Sequence, residues 1–133
     1  MNAQLPEYKQ WLIKAEHDLE SAKILLQSNE PVRDTAVYHC QQVAEKSLKA
    51  VLVYWNDPLM RTHDITALVE KCIKHDQSFE KWRDAAEELT PYATFFRYPG
   101  DIMEPDPEDC TAALEKAKKL YSFVAKLLKD TPA

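Results

Sequence analysis

The chain has 133 residues, a net charge of −5, 45% hydrophobic and 29% charged residues, and a single glycine, Gly100. That length suits one domain that can bury a core without a metal or disulfide staple, and the apolar fraction excludes a disordered chain. The lone glycine argues against hairpin-rich β structure, and the acidic balance argues against non-specific nucleic-acid binding, which draws its affinity from a basic excess.

The first expected helix runs from about Pro6 to Ser28. Tyr8, Leu12, Ala15, Leu19, Ala22 and Leu26 alternate in steps of four and three, one stripe on a helix, widened by Trp11 and Leu25. Pro6 suits a first turn, and Asn29-Glu30-Pro31 ends the segment. The second helix spans about Arg33 to Trp55. Its apolar or small face is Ala36, Cys40, Val43, Ala44, Ser47, Leu48, Val51, Leu52 and Trp55; another face carries His39, Gln42, Lys46 and Lys49. Asn56-Asp57-Pro58 closes it. Thr62 is the expected N-cap of a short third helix through Ile65, Leu68, Val69 and Cys72. A fourth helix covers about Ser78 to Leu89, and Thr90-Pro91 reads as a break and restart that places Tyr92, Phe95 and Phe96 on one face. A loop of about ten residues opens at Arg97-Tyr98-Pro99-Gly100, long enough by the usual loop lengths to carry function. The last helix, about Glu108 to Leu128, has the stripe Ala113, Ala117, Leu120, Tyr121, Val124, Leu127 and Leu128. The expectation is one all-α domain over residues 1–133, with its core between about 6 and 129. Four main helices and one short one, joined by short connections, predict an up-and-down antiparallel bundle.

Cys40, Cys72 and Cys110 are isolated and lack metal-ligand spacing, which predicts reduced, buried thiols, no metal site and a cytoplasmic setting. No apolar run reaches the roughly 18 residues of a membrane span, and the N-terminus Met-Asn-Ala-Gln-Leu-Pro lacks signal-peptide character. No cofactor motif is present.

Four stretches resemble the HEPN family: Trp11-Leu-Ile-Lys-Ala-Glu-His-Asp-Leu19, Ala36-Val-Tyr-His-Cys-Gln-Gln-Val-Ala-Glu-Lys-Ser-Leu-Lys-Ala50, Thr62-His63-Asp64-Ile65 and Phe96-Arg97-Tyr98-Pro99. They fall in the family's order, and the second is the most specific. The resemblance implies a bundle of four or five helices, often dimeric, in a stand-alone prokaryotic HEPN protein. It also implies frequent pairing with a small MNT-type nucleotidyltransferase, some such pairs acting as toxin and antitoxin. Several branches are metal-independent ribonucleases marked by Arg, four to six residues, then His. Here the positions four to seven beyond Arg97 are Asp101, Ile102, Met103 and Glu104, and no histidine lies beyond His75. Arg33 and His39 have the spacing, but at the other end of the chain, and six helical residues turn them about 120° apart.

Arg97 and Tyr98 are the first candidates: a guanidinium for a phosphate and a phenol to stack on a base, against a corner in which Arg97 caps carbonyls and Tyr98 packs on the core. The face of His39, Gln42, Lys46 and Lys49 offers groups for an anion or nucleotide, against a solvated face holding a Glu45–Lys49 pair. His63, beside the expected cap, offers a proton donor at an anion-attracting helix start or a general acid–base, against local packing. His17 and His75 read as surface residues. Asp101, Glu104, Asp106, Glu108 and Asp109 read as a solvated loop and helix start rather than a magnesium site. Three functions follow. The first is a nucleotide- or RNA-binding regulatory partner of a nucleotidyltransferase, a homodimer using Arg97, Tyr98, His63, His39, Gln42, Lys46 and Lys49. The second is a metal-independent ribonuclease in which Arg97 acts with His63 or His39. The third is a purely structural partner module.

Overall fold

The structure is a computed structural model that describes residues 5–100 and 103–130. All regular structure among these residues is helical. The α-helices are α1 (Glu7–Gln27), α2 (Arg33–Tyr54), α3 (Ile65–His75), α4 (Arg83–Leu89) and α5 (Pro107–Asp130), with 3-10 turns at Gln77–Trp82 and Thr90–Ala93. No described helix is long and apolar enough to cross a membrane.

Helix α2 is the central strut. From Ala36 to Leu52 only Tyr38, His39 and Lys46 escape full burial, because α1, α3, α4 and α5 all pack against it. Its small residues Ala36, Cys40, Ala44 and Ser47 are buried and let the neighbouring backbones approach. Leu48, Val51 and Leu52 meet Leu68, Phe79, Leu89, Ala113, Leu120 and Val124 in one core. Each fully buried large aliphatic contributes roughly 1.5–3 kcal/mol. The cysteines are buried free thiols, as their isolation predicts. Burial raises Cys40 and Cys72 to about 12.

Helices α1 and α2 are antiparallel: Tyr8 meets Tyr54, Trp11 meets Lys49 and Asp18 meets Lys46. The next connection departs from the short-turn expectation. Residues 58–64 carry no regular structure and return the length of α2, so His63 lies beside Gln41 while the end of α3 reaches Asp57. Helix α3 therefore runs in the same sense as α2. Helix α4 then turns back, and α5 again follows α2, starting near Arg33, which donates from Nε to the Pro105 carbonyl at 2.8 Å.

One capping expectation and one helix boundary change. The N-cap of α3 is Asp64, not Thr62: its carboxylate accepts from the N–H groups of Thr66 and Ala67, while Thr62 Oγ1 accepts from the N–H of Asp64 itself, just before the helix. A carboxylate outcompetes a hydroxyl for these donors because it is charged. The expected fourth helix begins as the 3-10 turn Gln77–Trp82 before α4, started by Asp76, whose side chain accepts from Ser78 N–H. Thr90-Pro91 does break the helix. The Thr90 hydroxyl bonds the Ala86 carbonyl and accepts from Ile65 N–H, tying α4 to the start of α3.

Candidate functional site

The face of α2 that carries His39, Gln42, Lys46 and Lys49 lies under α1 and the 58–64 segment. It is organised around two carboxylates. Asp18, on α1, holds His39 Nδ1 at 2.7 Å and Lys46 Nζ at 2.6 Å. Glu45, on α2, holds Lys49 Nζ at 2.9 Å and His63 Nδ1 at 2.8 Å. The expected i, i+4 pair of Glu45 and Lys49 is thus present, but both residues are buried, so this is no solvated face. Gln41 completes the second cluster. Its amide donates to the His63 carbonyl and to Glu45, and accepts from Gln42.

A buried carboxylate normally favours its neutral form. Burial pushes Asp18 up, but hydrogen bonds from His39 and Lys46 outweigh it and hold the carboxyl below the usual range. Burial likewise pushes Glu45 up, and hydrogen bonds from His63, Lys49 and Gln41 bring it down. Ionised carboxylates only accept, so Nδ1 of each histidine carries the shared proton. In the neutral imidazole this leaves Nε2 as the acceptor, a nitrogen available for acid–base work. The two histidines differ in access: the His63 side chain is 73% exposed, that of His39 25%.

Arg97 joins this system through a residue that sequence reasoning did not single out. Its guanidinium lies 3.9 Å from the centroid of the Tyr38 ring and 5.3 Å from that of Tyr98. Tyr38 in turn meets the His39 ring edge-on, at 5.6 Å between centroids. The alternative role of Arg97 is also realised, since Nη1 donates to the Ala93 carbonyl at 2.6 Å. That bond uses one of five N–H donors. Tyr98 does not pack into the core: it is 56% exposed, and Phe95, three residues before it, is 58% exposed. Phe96 has φ +69°, a left-handed conformation costly for a bulky residue. It turns the chain just before Arg97 and sets the guanidinium back onto Tyr38.

The structure therefore brings Arg97, Tyr98, Tyr38, His39, Asp18 and Lys46 into one continuous array. His63, Gln42 and Lys49 belong to the adjoining Glu45 cluster, and no contact joins His63 to Arg97 among the described residues. Nor does the start of α3 offer a free anion site beside His63, because Asp64 already occupies its N–H groups. His75 is an exposed residue, as expected, and it pairs with Asp57 at 2.8 Å and stacks on Trp55. Asp101 of the acidic run lies outside the described residues. Asp18 had a signal in the sequence, a carboxylate at helical spacing inside the α1 stripe between Ala15 and Ala22. Tyr38 had none beyond its position next to His39.

Comparison with known proteins places this array in context. The HEPN domain family model matches residues 8–127. A Methanocaldococcus jannaschii protein named "Putative toxin MJ1304" is 29% identical over 137 residues, covering 92% of this chain and 88% of that one. Among solved structures, TT1696 from Thermus thermophilus superposes with a TM-score of 0.79 at 24% identity, over 92% of this chain and 98% of its own. ST0689, an archaeal HEPN homologue, gives 0.70 at 23% identity, over 90% and 96%. At these identities the two structures speak for the fold.

Proposed function

The chain belongs to the HEPN-domain family, and from that premise we propose that it binds a nucleotide or an RNA end as one half of a toxin–antitoxin-like pair. The other half would be an MNT-type nucleotidyltransferase, and the HEPN chain would act as a cytoplasmic homodimer. The name of the Methanocaldococcus relative supports the toxin-like role. The observation that carries ligand binding is the exposed Arg97 guanidinium stacked on Tyr38 beside Tyr98 and the Asp18–His39–Lys46 cluster. Stacking fixes the plane of the guanidinium and leaves its remaining donors for two parallel bonds to a phosphate. Tyr98 offers a face for the base. Lys46 and His39 form the floor, while Gln42, His63 and Lys49 hold its far side through the Glu45 cluster.

The test is titration of the purified protein with mono- and dinucleotides beside Arg97→Ala. Loss of a charge-assisted, two-point phosphate contact weakens binding roughly 10- to 100-fold. Equal affinity in both proteins would remove Arg97 from the site.

One observation favours a second reading, a metal-independent ribonuclease. Asp18 orients His39 through Nδ1 at 2.7 Å, the arrangement of a general acid–base held by a carboxylate, and Tyr38 links that histidine to Arg97. In this reading His39, rather than His63, moves the proton and Arg97 stabilises the developing phosphorane charge. RNA cleavage in EDTA that is lost in both His39→Ala and Arg97→Ala would establish it; folded protein without cleavage would leave the binding role.

A further inference from the structure

A second feature lies along the same α1–α2 face. A hollow of about 400 Å³ opens on α1 over Glu7, Gln10, Trp11 and Lys14. These four positions share one helical face. Trp11 is half-buried; its Nε1 donates to Glu7 Oε2 at 3.2 Å, which fixes the ring, and Lys49 Nζ lies 5.6 Å from the ring centroid. Lys14 is exposed and forms no ion pair among the described residues. A fixed indole beside an open hollow, with a free cation one turn away, is the equipment for holding a stacked base and its phosphate.

The hollow is in line with the Arg97 site. Tyr38, under Arg97, and Lys49, beside Trp11, are eleven residues apart on α2, or roughly 16 Å along its axis. That distance takes about five nucleotides at 3.4 Å per stacked step. His39 and Lys46 lie between, both already bonded to Asp18.

Resting on the nucleotide-binding reading above, we infer that this face takes a single-stranded nucleic acid. Arg97 holds a phosphate at one end and Trp11 stacks a base at the other, with Lys14 on the adjoining phosphate. Because the intervening Lys46 is already paired, affinity comes chiefly from stacking. This reconciles single-strand binding with a net charge of −5. It also sets the salt dependence: with one or two phosphates neutralised, log K falls with log salt at a slope of only about −0.7 to −1.4.

The experiment compares AMP, a diadenylate and a hexaadenylate, the last as RNA, as DNA and as a duplex, on the wild-type chain. The expected result is hexamer affinity about tenfold above the dinucleotide, with tryptophan fluorescence quenched as a base stacks. Trp11→Leu and, separately, the surface variant Lys14→Glu each remove most of that length-dependent gain while AMP binding stays. Arg97→Ala weakens all ligands. Equal DNA and RNA hexamers indicate backbone-and-base recognition, and an RNA preference adds a 2′-hydroxyl contact; both support a single-strand site. Mononucleotide binding with no gain in length would overturn this inference and leave the parent reading intact. A gain that survives both variants, or tighter duplex binding, would overturn it too. Absence of binding by every ligand would sink both.

Discussion

Replacing Asp18 with asparagine tests whether the ionic layer under α1 holds the bundle together. The side chain keeps its shape but loses the charge that His39 and Lys46 share at 2.7 and 2.6 Å. Hydrogen bonds to a charged group are worth about 1.5–3 kcal/mol each. An amide retains part of both, and Lys46, 24% exposed, can extend toward water rather than stay unpaired in the core. The net loss expected at pH 7 is about 2 kcal/mol, a fall in Tm of roughly 6–10 °C for a domain of this size. The pH dependence supplies the sign. The folded-state pKa of Asp18 is depressed, so its contribution is complete above the unfolded value of about 4 and is lost as pH falls through the folded value. Urea denaturation of Asp18→Asn and wild type at pH 7, 5, 4 and 3 should show a gap that is constant at the two higher values and shrinks below pH 4. Glu20→Gln, an exposed carboxylate on the same helix, should stay within about 0.5 kcal/mol of wild type throughout. A gap at pH 7 no larger than that control, or one undiminished at pH 3, would refute the assignment of Asp18 as an ionised buried hub.

The other expectations use the same logic. Glu45→Gln disturbs a more deeply buried carboxylate with His63, Lys49 and Gln41 as partners, so urea denaturation should show a loss of about 3 kcal/mol, with the same decline in acid. Asp64→Ala should destabilise by about 1 kcal/mol as a lost N-cap, whereas Thr62→Ala should have the smaller effect; thermal melts that reverse this order would return the cap to Thr62. Leu48→Ala, in the middle of the core, should lower stability by roughly 3–5 kcal/mol, read from the shift in urea midpoint. Cys40 and Cys72, buried and with pKa values near 12, should resist thiol reagents at pH 8 in the native protein and react fully only in denaturant.

The helices were legible because their apolar residues recur at helical spacing, and the stripes of α1, α2 and α5 name much of the observed core. The path between them was less legible. Short connections predict antiparallel neighbours, yet the chain from Asn56 to Asp64 runs back along α2 as an irregular strap, held by Gln41 on the His63 carbonyl and Lys71 on the Pro58 carbonyl. Such contacts join residues far apart in sequence and leave no periodic trace. The candidate site was legible by residue type but not by grouping. His39, Lys46, Lys49 and Arg97 were legible as candidate cations, but which carboxylate organises which of them does not show in the spacing. Asp18 sits within an apolar stripe, and Glu45 reads as an ordinary helix-surface partner of Lys49.

That arrangement bears on why an acidic protein keeps so many cations on one face. Left unpaired beneath α1, Lys46 and Lys49 would resist burial and open the α1–α2 interface. Asp18 and Glu45 make burial tolerable, and each also anchors a histidine through Nδ1, with no partner at Nε2 among the described residues. The same two carboxylates thus serve packing and the placement of ionisable rings. Arg97 is positioned differently, by stacking on Tyr38 and by the strained turn at Phe96, with no carboxylate partner among the described residues. A guanidinium held in place but not neutralised is the one strong positive group of the array whose charge remains available to an incoming phosphate. Removing it should therefore affect ligand affinity far more than stability, while removing Asp18 or Glu45 should affect both.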